Sequence, residues 1–150
     1  MKTKKISYEG LQEKIRRLKT PAIDVWKNQY PERRYVITID IPEFTCICPK
    51  TGLPDFANIT IRYIPDKWCI ELKSLKYYTI FYRDIGIFNE HVVNKILDDF
   101  IKASKPRWVE IAGEFNPSGG IKTTVKAEYK RRKDPSNASF SSRSRDKIYT

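Results

Sequence analysis

Alternating apolar and polar positions mark four segments of the chain as strands. The first covers residues 35–41 and ends at Pro42, and the second covers 59–63 and ends at Pro65. The third and fourth cover residues 109–115 and 121–129, and residues 68–72 are also expected to be extended. Successive side chains of a strand point to opposite faces, so this period predicts strands that each bury one face.

Between the second and third strands the apolar period becomes helical. Two stripes have the i, i+3, i+4, i+7 spacing of a single helix face. The first comprises Leu75, Tyr78, Thr79 and Tyr82, and the second comprises Val93, Ile96, Leu97, Phe100 and Ile101. The pair Lys105-Pro106 is expected to end the second helix. A short basic helix is predicted within residues 10–20, before Pro21 breaks the regular pattern.

The order of these elements predicts the fold class. Residues 116–120, Asn-Pro-Ser-Gly-Gly, supply the turn of a hairpin between the last two strands. Two strands, two helices and two strands form an α+β fold with an antiparallel four-stranded sheet and both helices on one face. The other face and the sheet edges stay uncovered, so we expect further copies of the chain to cover them.

Composition agrees with one folded domain. The 150 residues are 40% hydrophobic and 13% aromatic, which is enough for a core. We find no apolar run long enough to span a bilayer and no apolar segment of a secretory signal near the N-terminus. Three cysteines do not indicate a disulfide framework, so we expect a cytoplasmic protein.

The net charge of +11 lies mainly at the two ends of the chain. Residues 1–20 and 130–150 each hold seven basic and two acidic side chains, whereas the segment between them is almost neutral. Basic ends bind polyanions weakly, and they are also found as solvated tails. Residues 133–146 are rich in Ser and charge, which predicts disorder. A basic RNA-binding module remains an alternative, but we expect no stable nucleic-acid partner.

The loop after the first strand carries the most informative chemistry. Cys48 is followed by Pro49, which favours an extended backbone at the cysteine, and Asp55 comes seven residues after the thiol. A nucleophilic cysteine needs a fraction of thiolate and a nearby proton donor. The pattern is therefore compatible with a catalytic Cys48 and Asp55, and also with a buried structural cysteine.

A zinc site is the competing interpretation of the cysteines. Its possible ligands are Cys46, Cys48, Cys69 and His91. The spacing of Cys46 and Cys48 differs from the usual zinc-knuckle spacing, so we expect no metal.

Two further stretches combine charge with the start of a helix. Lys73 and Lys76 are three residues apart and are placed to clamp a phosphate, although a solvated helix edge has the same pattern. In the stretch from Phe88 to His91, Asn89 is the expected N-cap of the second helix and Glu90 suits its first turn. The chain has no G-x-G-x-x-G sequence and no Walker loop.

Together these stretches resemble a known family. Cys48-Pro-Lys-Thr-Gly with Asp55, and Glu71-Leu-Lys-Ser-Leu-Lys-Tyr-Tyr, are similar to the motifs of the short, single-domain NADPH-dependent 7-cyano-7-deazaguanine reductases, the nitrile reductases of queuosine biosynthesis. The resemblance implies a tunnelling fold (T-fold) assembled as an oligomeric barrel, with active sites between subunits. It predicts a basic extension at residues 1–20, the reductase domain at 21–131 and a Ser-rich tail at 132–150.

The resemblance also implies the chemistry. The Cys48 thiolate would attack the nitrile carbon to form a covalent thioimide, and Asp55 would protonate the nitrogen. Two molecules of NADPH would then reduce the thioimide to an aminomethyl group. The implied binding residues are Asn89 and Glu90 with Ile70, Glu71 and Leu72 for the deazaguanine, and Lys73 and Lys76 for the NADPH phosphates.

Two positions depart from the family pattern. The family often has His where this chain has Asn89, and often has Arg where it has Ser118. A related T-fold enzyme that forms an amidine from the same thioimide, without NADPH, is the main alternative. Lys73 and Lys76 favour the reductase. A zinc-dependent cyclohydrolase of the same fold is disfavoured because the chain has a single histidine.

Overall fold

A computed structural model describes residues 8–132 of the chain. The predicted Ser-rich tail lies outside the described residues except for Arg132, and so do the first seven residues of the predicted N-terminal extension. The elements are a 3₁₀ helix (Glu9–Arg17), β1 (Val25–Lys27), β2 (Ile37–Ile47), β3 (Pro54–Ile64), β4 (Trp68–Ile70), α1 (Leu72–Phe81), a 3₁₀ turn (Tyr82–Asp84), α2 (Asn89–Ser104), β5 (Trp108–Phe115) and β6 (Thr124–Lys130).

The main sheet has the order β2-β3-β5-β6, and all its pairs are antiparallel. Inward residues of β3 and β5, such as Ile59, Ile61 and Ile111, are fully buried. The helix α2 lies so close to β5 that a Cβ on Gly113 would be 2.8 Å from Val93 Cγ2. The predicted α+β class and antiparallel sheet are confirmed.

A smaller sheet pairs β1 with β4 and was not predicted. The expected extended segment 68–72 is β4 over residues 68–70, whereas Leu72 already begins α1. The strand β1 was missed because three residues are too few for an alternating pattern to be recognised in the sequence. The pairing fixes the start of α1, because the Glu71 backbone N–H donates to Asp24 O at 2.9 Å.

The prediction that the first strand ends at Pro42 is wrong. β2 continues to Ile47, because Pro42 and Glu43 form a bulge in which two residues oppose one residue of β3. Because of the extra residue, the core-facing positions of β2 change from odd-numbered to even-numbered residues. Before the bulge, Ile39 and Ile41 pack against the core, and after it Phe44 and Cys46 do so. The second strand is longer than predicted and begins at Pro54.

The helix predictions are confirmed, with one correction. Asn89 was expected to be the N-cap of α2, but the N-cap is Phe88, which makes no capping side-chain hydrogen bond. The helix ends as predicted, with Lys105 in the left-handed region at φ 47°. The last strand starts at Thr124, because Ser118 and Ile121 instead form an isolated bridge across the Gly-Gly turn.

A connected series of polar side chains lies between the two helices. Lys95 Nζ is 2.9 Å from Asp99 Oδ1, and the Tyr78 hydroxyl donates to Asp99 Oδ2 at 2.5 Å. The Tyr78 and Tyr82 hydroxyl oxygens are 2.9 Å apart. Burial and neighbouring negative charge raise the pKa of Tyr78 far above its ordinary value, so this hydroxyl stays protonated and ties α1 to α2.

The N-terminal residues form regular structure as predicted, in the 3₁₀ form. Ile15 is the buried residue of this helix, and it joins the main core. None of the helices within residues 8–132 is long and apolar enough to cross a membrane.

Candidate active site

The loop that joins β2 to β3 is a closed turn. The Cys48 N–H donates to Leu53 O at 2.8 Å, and the Gly52 N–H donates back to Cys48 O at 2.9 Å. Gly52 has φ +70°, a conformation that side chains disfavour. The Leu53 N–H also donates to Thr51 Oγ1 at 3.2 Å. These bonds fix the backbone around the cysteine.

The Cys48 thiol is polarised toward the thiolate. Burial acts to raise its pKa, but hydrogen bonds from the Thr51 hydroxyl and from the Thr51 and Lys50 backbone N–H groups lower it by more, so the net shift is downward. Such donors stabilise an anion, and a thiolate is the reactive form of cysteine. The sequence interpretation did not identify Thr51. Its position three residues after the cysteine was the available signal.

Asp55, on β3, lies on the same side of the sheet as Cys46 of β2 and as Cys48, the first residue after β2. It pairs with Cys46 across the ladder, and Cys48 is therefore its diagonal neighbour. Burial raises the pKa of Asp55, which favours the protonated acid. Burial also raises the pKa of Cys46 to about 12, so Cys46 remains a thiol at neutral pH. The environment therefore favours Cys48 over Cys46 as the nucleophile.

The start of α2 lies beside this loop. The Ile47 N–H donates to Ile85 O at 2.9 Å, and the Ile87 N–H donates to Ile47 O at 3.0 Å. Asn89 and Glu90 follow within three residues of this pairing. Glu90 is exposed, and Asn89 Oδ1 is buried with no hydrogen-bond partner among the described residues. Cys48, Asp55, Asn89 and Glu90 are thus gathered at one end of the sheet.

The second group of predicted residues lies at the opposite end of β3. The Ile70 N–H donates to the Tyr63 hydroxyl at 3.0 Å, and Tyr63 is eight residues along β3 from Asp55. At about 3.3 Å per residue, the two ends are separated by roughly 26 Å. Ile70 and its neighbours at the start of α1 therefore lie far from Cys48 within one chain, whereas Lys76 lies between the two ends, beside the bulge of β2.

Glu71 has a role that sequence reasoning missed. Its carboxylate caps α1 by accepting hydrogen bonds from the Lys73 N–H at 2.8 Å and the Ser74 N–H at 2.7 Å. The bond from Ser74, followed by the one from Lys73, lowers the pKa of Glu71. The available signal was an acidic residue directly before a helical stripe. It is a weak signal, because Glu is a less common cap than Asp or Ser.

A groove of about 360 Å³ runs between α1 and the bulge of β2. Its walls are mostly apolar, and its charged lining residues are Lys76 of α1, Arg83 of the following 3₁₀ turn, and Asp40 and Glu43 of β2. Leu72 and Lys73 are exposed at the N-terminal end of α1. The two cations and two carboxylates give the groove a mixed charge, so its apolar walls are the feature that favours an organic ligand. Sequence reasoning did not include Arg83.

The four residues considered for zinc do not converge. Cys69 lies 3.8 Å from the Tyr35 hydroxyl, whereas Cys46 lies 3.9 Å from Ile87 O. Across residues 8–132, no three His, Cys, Asp or Glu side chains are close enough together to hold a metal ion.

Comparison with known proteins identifies the family. A family model described as QueF-like protein matches residues 54–134. A protein of Elusimicrobium minutum named NADPH-dependent 7-cyano-7-deazaguanine reductase is 56% identical over 114 residues, which is 76% of this chain and 86% of that protein. A protein of the same name from Chloroherpeton thalassium is 55% identical over 116 residues, 77% of this chain and 100% of that protein.

A solved structure supports the fold. The crystal structure of the archaeosine synthase QueF-Like in the apo form matches with a TM-score of 0.58 and 20% identity, over 62% of this chain and 91% of that chain. At this identity the likeness concerns the fold alone. The match over most of the length of the two relatives, with the family model, confirms the family expected from the motifs: the chain belongs to the QueF-like family of 7-cyano-7-deazaguanine reductases.

Proposed function

We propose that this protein reduces the nitrile of 7-cyano-7-deazaguanine to an aminomethyl group with NADPH, as a step of queuosine biosynthesis. The observation that carries the proposal is the polarised Cys48 thiol beside Asp55, in a chain more than half identical to proteins that bear the reductase name. The pair supplies a nucleophile and an acid. The substrate and the reductant are inferred from the names of the relatives.

Cys48 and Asp55 divide the first step between them. The Cys48 sulfur bonds to the nitrile carbon, one π bond of the nitrile breaks, and the nitrogen takes the proton of Asp55, which gives a neutral thioimide. Desolvation of Asp55 supports this role, since it favours the form that still holds a proton. The thioimide accepts hydride more readily than a nitrile, and the sulfur leaves as thiolate during the reduction.

Substrate recognition is assigned to the start of α2. The exposed Glu90 carboxylate is suited to accept two hydrogen bonds from the N–H groups of a guanine-like edge. Asn89 is proposed as its neighbour in recognition, because its Oδ1 is buried without a partner among residues 8–132. The backbone of residues 70–72 is proposed to complete the pocket.

Lys73 and Lys76 are proposed to hold the phosphates of NADPH, which when bound supplies the two hydrides, one from each of two molecules. Both side chains are exposed, and none of the carboxylates in residues 8–132 lies within 4.0 Å of either ammonium group, although the charge of Lys73 attracts Glu71 at longer range. Arg83 lines the groove together with Lys76 and is suited to assist it.

The separation of the two groups within one chain supports a T-fold oligomer with shared sites. Cys48 and Glu90 of one copy would meet residues 70–76 of another. Large apolar side chains remain exposed and available for such contacts, including Trp26, Phe56, Leu72 and Tyr77. Barrel closure would also cover the open edges of β2 and β6. We propose this assembly for a cytoplasmic protein whose catalytic domain spans residues 21–131.

Intact-mass measurement tests the proposal directly. Protein mixed with the nitrile alone should gain the mass of the substrate, and NADPH should then be consumed with release of the amine. Cys48→Ala should form no adduct, whereas Cys69→Ala, at the other end of the sheet, should form it normally. Loss of the adduct in Cys69→Ala but not in Cys48→Ala would refute the choice of nucleophile. Conversion of the adduct by ammonia rather than by NADPH would identify the amidine-forming alternative.

A further inference from the structure

Gln12, in the N-terminal 3₁₀ helix, is fully engaged by hydrogen bonds. Its amide nitrogen donates to Tyr8 O and to Gly86 O, both at 3.0 Å. Its Oε1 accepts from the Phe88 N–H at 3.3 Å and lies 3.0 Å from His91 Nδ1, which donates to it in the tautomer protonated at that nitrogen. One side chain thus joins the 3₁₀ helix to the start of α2.

The groups that Gln12 binds flank the candidate active site. Gly86 lies between the two residues whose backbones pair with Ile47, immediately before Cys48. Phe88 is the N-cap of α2, two residues before Glu90, and has no side-chain cap of its own. Gln12 therefore contacts the segment that holds the Cys48 loop and the segment that carries Glu90.

Two other contacts link the same 3₁₀ helix to the site. Glu9 Oε1 lies 3.2 Å from the Nζ of Lys50, a residue of the Cys48 loop. Tyr8 packs so closely on Gly86 that a Cβ at this glycine would collide with the tyrosine ring. Ile15 anchors the helix in the core independently of both contacts.

We propose that the 3₁₀ helix Glu9–Arg17 is part of the active-site scaffold, and that Gln12 is a positioning residue that sets the placement of Glu90 relative to Cys48. The inference rests on the proposed roles of those two residues. Gln12 itself makes no contact with the thiol. It acts by holding the backbone of residues 86–88, and small displacements of a bound substrate from its nucleophile reduce rates strongly.

Gln12→Met tests the proposal, because methionine is of similar length and removes all four polar contacts. We expect adduct formation with the nitrile to slow about tenfold at subsaturating substrate. The KM for NADPH and the rate at which iodoacetamide alkylates Cys48 should stay within about twofold, since neither depends on Glu90. Gln29→Met is the matched control, because Gln29 is exposed and, among residues 8–132, its side-chain amide bonds only to Lys27 O, at 3.5 Å.

Each outcome decides the question. A Gln12→Met variant that forms the adduct at the wild-type rate overturns the inference, and so does a parallel loss of adduct formation, alkylation rate and thermal stability, which would mean a purely structural role. If the wild-type protein forms no adduct, the proposed thioimide chemistry fails and this inference fails with it. Wild-type adduct formation with an unaffected Gln12→Met variant overturns the inference alone.

Discussion

Replacement of Lys95 by methionine should destabilise the fold strongly without touching the active site. The ammonium group of Lys95 is 2.9 Å from Asp99, and the two side chains are 6% and 17% exposed. Removal of the lysine leaves a largely buried carboxylate that retains the Tyr78 hydroxyl as a donor. Breaking a buried pair typically costs about 3–5 kcal/mol. Because Asp99 keeps one donor and some solvent contact, we expect about 3 kcal/mol, or roughly 6–12 °C in Tm.

The measurement is urea unfolding followed by circular dichroism, at one fixed protein concentration because assembly affects apparent stability. The double variant Lys95→Met/Asp99→Leu should recover at least half of the loss, since no unpaired charge remains and Tyr78 still meets the Tyr82 hydroxyl. Arg16→Met is the control. It removes an exposed pair of 3.9 Å and should cost less than about 0.5 kcal/mol. A Lys95→Met variant as stable as wild type, or a double variant no better than the single one, would refute the reasoning.

Further predictions concern the proposed site. Thr51→Val removes a hydrogen bond that lowers the pKa of Cys48, so the pKa should rise and alkylation by iodoacetamide at neutral pH should slow about tenfold, with Thr51→Ser restoring it. Asp55→Asn has no acidic proton to give, so adduct formation measured by mass should slow at least about tenfold while Cys48 still reacts with iodoacetamide. In the wild type, adduct formation needs both the Cys48 thiolate and the Asp55 acid, so its rate should rise with pH up to the lower of the two pKa values and fall above the higher one. The double variant Lys73→Ala/Lys76→Ala should raise the KM for NADPH about tenfold and leave the adduct unchanged; loss of the adduct with normal NADPH binding would contradict it. Light scattering with size separation should find an oligomer, and an active species at the 17.7 kDa monomer mass would contradict the shared site.

Alternation and helical period predicted the main sheet and both helices well, because those segments are long and one face of each is buried. The same rules failed where backbone chemistry competes with the pattern. Pro42 indicated a strand end, since proline cannot donate to a ladder, yet a bulge accommodates it and β2 continues to Ile47. The strand β1 was missed because three residues carry too little pattern.

The candidate site was predicted in its residue types but not in its arrangement. Cys48 and Asp55 are close in sequence, and a hairpin joins them, so their proximity followed from local structure. The grouping with Glu90 depends on the bonds of Ile47 to residues 85 and 87, which are almost forty residues away and leave no local signal. The contribution of Gln12 depends in the same way on a contact between residues more than seventy positions apart.

The bulge at Pro42 and Glu43 has a consequence for insertions and deletions. Ile41 and Phe44 both face the core and pair with Ile59 and Ala57, so two residues of β2 lie opposite the single residue Asn58. Deletion of Pro42 would leave Glu43 alone opposite Asn58, which is the spacing of a regular ladder, and the Cys48 loop would keep its face. Deletion of both residues would make Ile41 and Phe44 adjacent, and adjacent side chains of a strand point to opposite faces. The segment from Phe44 to Cys48 would then turn outward or lose its pairing with β3. We therefore expect this point of β2 to tolerate the loss of one residue but not of two.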